Sequence, residues 1–266
     1  MGFKKPVCSV VLSWALFAAT CAIFCGCVET VYIRTPPPPI PYYEQPYCPG
    51  PGYLWVPGYW AYGPDGYYWV PGMWEISPRV GWLWTPGYWG WSDGVYIWHS
   101  GYWGRHIGYY GGINYGYGYS GVGYVGGYWR DNEFYYNSAV TRVNVTVVSN
   151  TYSTSVVENR APVAVVSYNG GKGGVVSSPT NEEFAAAREQ HIAATPLQRQ
   201  HVRAAGRTPE LLASKNQGQP RPDLLAKRLA PVPAKAKIAK PKPPRKNKQK
   251  HPDNRTDSKP PRDEAR

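Results

Sequence analysis

Eight tryptophans set in four copies of one short pattern constrain this chain more than any other feature. The copies are Trp55-Val-Pro-Gly-Tyr-Trp60, Trp69-Val-Pro-Gly-Met-Trp74, Trp84-Thr-Pro-Gly-Tyr-Trp89 and Trp98-His-Ser-Gly-Tyr-Trp103, and they start 14, 15 and 14 residues apart. A fixed short period marks a small structural unit copied along the chain. Glycine and proline recur too often there for helix. Short aromatic runs broken by Pro-Gly, Gly-Pro-Asp-Gly and Asp-Gly read as strands and turns.

Register follows from the loops. Treating each Pro-Gly as a two-residue loop sets Trp55 opposite Trp60, Trp69 opposite Trp74 and Trp84 opposite Trp89, with Trp82 opposite Trp91. A four-residue loop at 63–66 sets Trp60 opposite Trp69, and a five-residue loop at 77–81 sets Trp74 opposite Trp84. Asp93-Gly94 is a type I′ hairpin signal and sets Trp89 opposite Trp98. Ser100-Gly101 then sets Trp98 opposite Trp103. The expected fold is mainly β, an antiparallel meander of short Trp/Tyr-rich strands forming a curled sheet or small barrel. Alternation along each strand puts all eight tryptophans on one face, where cross-strand aromatic pairs add about 0.2–1 kcal/mol each. One conflict stands: L-Pro-Gly favours a type II turn, which twists badly for a hairpin, and this calls for wider corners.

The repeat continues in degraded form. Residues 108–127 are nearly all Gly and Tyr, Gly126-Gly127-Tyr128-Trp129 echoes the motif, and Phe134–Asn137 reads as a last strand. Val143-Asn-Val145-Thr-Val147 alternates with period two, the pattern of a strand or extended edge.

Residues 1–27 have the order of an export signal: Lys4 and Lys5, then the uncharged run Val7–Phe24, then Gly26-Cys27. At 18 residues the run sits at the lower limit for spanning a bilayer, so a retained anchor is the alternative. Phe24-Cys25-Gly26-Cys27 resembles a bacterial lipobox in which Cys27 is lipidated, although Phe24 replaces the preferred Leu and Cys25 a Ser or Ala. Ala18-Ala19-Thr20-Cys21 competes less well. Cys48 would then be the single mature thiol, which excludes an intrachain disulfide. Residues 28–49 read as a Pro-rich linker, and Thr35-Pro-Pro-Pro-Pro-Ile-Pro41 favours a polyproline II spacer or an ordinary linker.

The Trp-x-Pro-Gly-Tyr-Trp units, the Gly/Tyr run at 108–119 and Gly126-Gly-Tyr-Trp-Arg130 resemble bacterial YXWGXW/WXXGXW repeat proteins. Tyr168-Asn-Gly-Gly171 and Ala185-Ala-Ala-Arg-Glu189 are similar to that family's downstream region. The resemblance spans residues 50–215. It implies an exported or lipoprotein-like chain, with some members described as related to an accessory lipoprotein of contact-dependent inhibition systems, and it lends no catalytic residue.

Residues 50–136 form the expected repeat domain and 137–178 an extended segment. Short helices are expected over 179–230. Thr180-Asn-Glu-Glu183 is a capping box before a helix over 184–193, Thr195-Pro196 starts a second that Gly206 stops, and Thr208-Pro209 opens a third. Few large apolar residues, among them Phe184, Ile192, Leu197 and Leu211, imply weak packing. Residues 231–266 carry 12 Lys/Arg against 4 Asp/Glu, most of the net +12, and read as a disordered basic tail. Such a tail attracts polyanions; after export these are envelope glycopolymers or extracellular DNA, so nucleic acid is not the expected partner in the cell.

The five histidines lack metal-ligand spacing. Asp93 and Asp65 belong to turns, and Glu75 lacks the second carboxylate that glycosidase chemistry needs. No phosphate loop or dinucleotide fingerprint appears, so neither an enzyme nor a cofactor or metal is expected. The expectation is a cell-envelope lipoprotein with a structural or interaction role, tethered through Cys27 to a membrane, with its protein partner unnamed. The alternatives are polyanion binding by the tail and a glycan-binding module using exposed Trp55, Trp60, Trp69, Trp74, Trp84, Trp89, Trp98 and Trp103. Against that second alternative stands the plainer reading of the ladder as core.

Overall fold

The computed structural model describes residues 33–156 and 165–229, all within one compact unit. Cys27, the expected export signal over 1–27 and the expected basic tail over 231–266 lie outside the described residues. The chain is mainly β, built from two- and three-stranded sheets with a few short helices, and the described residues form no closed barrel.

The first four strands are β1 (Tyr53–Val56), β2 (Tyr59–Gly63), β3 (Gly66–Val70) and β4 (Met73–Ile76). β2 pairs with β3 and β1 pairs with β4, so Trp60 faces Trp69 and Trp55 faces Trp74. The register runs unbroken from Tyr53↔Ile76 to Gly63↔Gly66. The four strands are therefore one long hairpin with a Pro-Gly interruption in each arm, Pro57-Gly58 across from Pro71-Gly72. β5 (Leu83–Thr85), β6 (Tyr88–Ser92), β7 (Val95–His99) and β8 (Tyr102–Gly104) repeat the plan. Trp89 faces Trp98, Trp91 faces Tyr96, and Trp84 faces Trp103.

The meander is corrected accordingly. Pairings through the loops at Gly63–Gly66 and Asp93-Gly94 form as expected, with Asp93 and Gly94 both at positive φ as a type I′ turn requires. Pairings through the Pro-Gly corners, through Ser100-Gly101 and through 77–81 do not form. The twist of an L-Pro-Gly turn opposes hairpin closure, so each corner is passed as a kink. The true unit is also longer than the motif: Trp55, Trp60, Trp69 and Trp74 recur as Trp84, Trp89, Trp98 and Trp103, each 29 positions on.

Kinks interrupt a ladder and leave backbone groups to be satisfied elsewhere. The Gly58 N–H donates to the Tyr43 hydroxyl, the Pro71 carbonyl bonds His201 Nε2, and the Gly87 carbonyl accepts from the Tyr115 hydroxyl. The two hairpins are joined by Trp89 Nε1 donating to the Trp60 carbonyl at 2.8 Å and by Tyr59 stacked on Trp98 at 4.9 Å.

Next come β9 (Asn114–Gly116) and β10 (Tyr119–Ser120), then the hairpin β11 (Gly127–Arg130) and β12 (Glu133–Asn137), closed by Asp131 and Asn132 at positive φ. The degraded repeat thus forms its expected strands. β13 (Thr151–Tyr152) and β14 (Tyr168–Asn169) add parallel to β12 and β6. No strand forms at 143–147. Asn144 holds a turn there instead, its carbonyl accepting from the Val147 and Val148 N–H groups and its side chain from Thr146 N.

The Pro-rich segment is not a free spacer from Ile33 on. Its Thr35, Pro39 and Pro46 carbonyls accept from the Tyr67 hydroxyl, Trp60 Nε1 and Trp74 Nε1, and Ile33, Ile40, Tyr43 and Cys48 are buried. Extended prolines present outward carbonyls with no internal partner, and buried indoles need acceptors.

The helices are α1 (Asn181–Ala186), α2 (Pro196–Gly206) and α3 (Ala213–Asn216), with a 3-10 turn over Pro209–Leu211 between α2 and α3. The expected capping box at Thr180 is present, and the helix start at Thr195 is a second box closed with Gln198. α1 is shorter than expected, and Ile192–Ala193 forms β15, which pairs with β8. α2 is firmly packed rather than loose. Gln198, His201 and Ala205, spaced as one helical face, are buried, and two of the three are polar. A hydrophobic count misses such a face.

Candidate functional site

The motif tryptophans form the core. Trp55, Trp60, Trp69, Trp74, Trp84, Trp89 and Trp103 are buried, and Trp98 is partly buried. The facing pairs lie at ring-centroid distances of 5.3–5.5 Å in tilted or edge-on geometry, each worth about 0.5–1.5 kcal/mol beyond burial. The glycine of the motif has a steric reason. A Cβ on Gly101 would stand 2.6 Å from Cζ2 of Trp84, and one on Gly87 would stand 2.5 Å from Cζ2 of Trp98. Gly72 and Gly58 are covered in the same way by Trp55 and Trp69. The first tryptophan of each motif therefore lies across the glycine of the opposite arm.

Indoles buried in this way offer a ligand little surface. Trp98 is only partly buried, and with Trp84 it lines a half-open cleft of about 440 Å³ between the kinks of the two hairpins and α2. Tyr59, Val56 and Met73 line the same cleft, and Arg199 and Arg203 stand exposed on its α2 side. The sequence reading missed Tyr59, Arg199 and Arg203. The spacing of the two arginines, four apart on a capped helix, is the signal that could have found them.

His201 lies at the edge of this cleft and is 1% exposed. Nε2 bonds the Pro71 carbonyl at 2.8 Å, and Nδ1 accepts from the Leu229 N–H at 3.1 Å. That pair of bonds selects the neutral Nε2–H tautomer. Burial lowers the His201 pKa to about 4, only partly opposed by the Pro71 bond. The segment after α3 is tied down beside it. The Leu225 carbonyl accepts from Trp69 Nε1, and Arg228 donates to the Trp74 carbonyl at 2.6 Å. Arg228 also stands 3.7 Å from Glu75, whose other carboxylate oxygen accepts from the Thr195 hydroxyl. Burial raises the Glu75 pKa, with Thr195 and Arg228 acting against it.

Cys48 is 3% exposed, its Sγ donates to the Gly50 carbonyl, and burial raises its pKa to about 11. Asp93 occupies its expected turn. His99 and Ser100, near it in sequence, line a second cavity with aromatic walls. Among the described residues no cluster of His, Cys, Asp or Glu could hold a metal ion, and no helix is long and apolar enough to cross a membrane.

The family model of the WXXGXW repeat matches twice, at residues 50–75 and 79–103. Each match covers nearly all of one kinked hairpin, β1–β4 and then β5–β8. No curated protein and no solved structure matches the chain. Residues 50–103, the paired hairpins at the centre of the fold, therefore belong to the WXXGXW repeat family.

Proposed function

We propose that this protein is an exported bacterial cell-envelope lipoprotein with a structural or interaction role, its aromatic domain a rigid scaffold tethered near a membrane through Cys27. The observation that carries the scaffold role is the burial of seven of the eight motif tryptophans. Residues spent on the core hold shape rather than bind. The docked segment begins at Ile33, six positions after Cys27, so a lipid there would keep the repeats close to the bilayer. Fractionation of cells expressing the wild type and Cys27→Ala, with mass spectrometry of the mature N-terminus, tests this reading. The expected result is an acylated Cys27 and membrane association that the variant loses. An unacylated N-terminus in a soluble fraction overturns it.

A second reading, glycan binding, is favoured by Trp98, the one motif tryptophan that is not buried. Its partly buried indole, stacked on Tyr59 beside Arg199 and Arg203, lines a cleft large enough for a sugar unit. Titration of anionic envelope glycans should then change the Trp fluorescence of the wild type and not that of Trp98→Leu. Identical responses, or none, remove this reading.

A further inference from the structure

The second cavity lies between the second hairpin and α1, with a volume of about 340 Å³. Its walls are aromatic: Tyr88 from β6, His99 from β7, Tyr102 from β8, Tyr109 from the loop after β8, and Phe184 from α1. Tyr88 and His99 stack at 4.5 Å with 8° between their planes, and Tyr109 meets Tyr88 edge-on at 5.3 Å. Glu183, which is 3% exposed, is the one carboxylate among the lining residues.

Glu183 is a capping residue, but capping accounts for only half of its carboxylate. Oε2 accepts from the Thr180 N–H at 2.9 Å, closing the box at the start of α1. Oε1 is buried and has no hydrogen-bond partner. A buried, unpartnered carboxylate oxygen is costly unless something with positive charge or an N–H or O–H meets it. Neither lysine nor arginine lines the cavity, although the chain as a whole carries a net charge of +12. Arg188 lies over the Phe184 ring at 4.4 Å, and Glu189 pairs with His106. Burial raises the pKa of the Tyr102 and Tyr109 phenols, and the Glu183 charge adds to both. Desolvation lowers the His99 pKa, so its imidazole is neutral at pH 7 and does not oppose a cation.

We infer that this cavity is a binding site for an organic ammonium ion, with the rings of Tyr88 and Tyr109 against the alkyl-ammonium shell and the buried Glu183 carboxylate as the counter-charge. Aromatic faces attract cations through the ring quadrupole, most strongly where water is excluded. One carboxylate is too few ligands for a metal ion, and an anion would meet an unscreened negative group. The inference is independent of where the protein resides.

Saturation-transfer NMR and calorimetry on the full chain test it, with choline, ethanolamine and the neutral choline isostere 3,3-dimethyl-1-butanol as probes. Choline or ethanolamine should bind, and the neutral isostere should bind about tenfold more weakly or not at all. Glu183→Gln retains a side chain that can cap the helix and should lose about tenfold in affinity with an unchanged melting profile. Tyr109→Leu, which leaves the carboxylate in place, should weaken choline more than ethanolamine. Retention on zwitterionic phosphatidylcholine vesicles, lost in Glu183→Gln, would assign a lipid headgroup. Binding of free choline or ethanolamine without vesicle retention would assign a soluble amine. Absence of binding by both amines, equal binding of the isostere, or full affinity in both variants overturns the inference and leaves Oε1 to a buried water.

Discussion

The indole of Trp84 lies against Gly101, with its Cζ2 atom 2.6 Å from where a Cβ would sit. The same position is 2.7 Å from Gly87 N and from the Thr85 carbonyl oxygen. Backbone cannot swing aside as a flexible side chain can, so Gly101→Ala should destabilise the fold by about 1–3 kcal/mol. Gly50→Ala is the control. Its Cβ meets nothing nearer than 4.0 Å, and the change should stay within about 0.5 kcal/mol. Urea midpoints of the two variants measure the difference, and equal midpoints would reject the steric account of the motif glycine.

His201 makes stability depend on pH in a definite direction. Its native pKa is about 4 against an ordinary value of 6.5, so between those values the unfolded chain binds the extra proton. The contribution is fully present above pH 6.5 and is lost as pH falls toward 4, to a total of about 3 kcal/mol. Glu75 works the other way, because a raised carboxyl pKa lets the native state take up the proton first. Comparing His201→Asn with the wild type removes Glu75 and all other groups from the difference. The wild type should lose stability faster on acidification from pH 6.5 to 4, and parallel pH profiles would refute the assignment.

Arg228 and Glu75 hold the segment after α3 against β4. Truncating Arg228 to Met leaves a buried carboxylate without its counter-charge and should cost about 3 kcal/mol. The double variant Glu75→Leu, Arg228→Met removes both charges and should be more stable than Arg228→Met alone. Chemical denaturation of the four members of this cycle gives the coupling. Additive losses would show that the two side chains act independently.

Cys48 should resist alkylation in the native state. The thiolate is the reactive form, and a pKa of about 11 together with burial leaves almost none of it accessible at pH 8. Peptide mass spectrometry after iodoacetamide treatment should find Cys48 unmodified in native protein and modified after denaturation in urea. Rapid native labelling would show that the segment around Cys48 opens readily.

The local chemistry of this protein is legible along the chain. Asp93-Gly94 dictates a type I′ turn, which fixes Trp89 opposite Trp98. Thr180 with Glu183 and Thr195 with Gln198 announce two helix starts. The mainly β character follows from glycine, proline and aromatic spacing. These are short-range effects, decided by backbone sterics and by side chains three or four residues apart.

Tertiary structure decided what lies beyond that range. Whether a Pro-Gly corner closes a hairpin or kinks one depends on the opposite arm, and only the folded chain brings Gly58 across from Pro71. The burial of the tryptophans depends on covers distant in sequence: Pro39 and Pro46 from the Pro-rich segment, and Leu225 from the end of a short 3-10 turn over Pro222–Leu224. His201 and Glu183 look like ordinary helix residues until the fold surrounds one with hydrogen-bond partners and leaves one oxygen of the other without any. Long-range packing selects among locally equivalent backbone choices because the free energy of burying so many rings exceeds the small preference of any single turn.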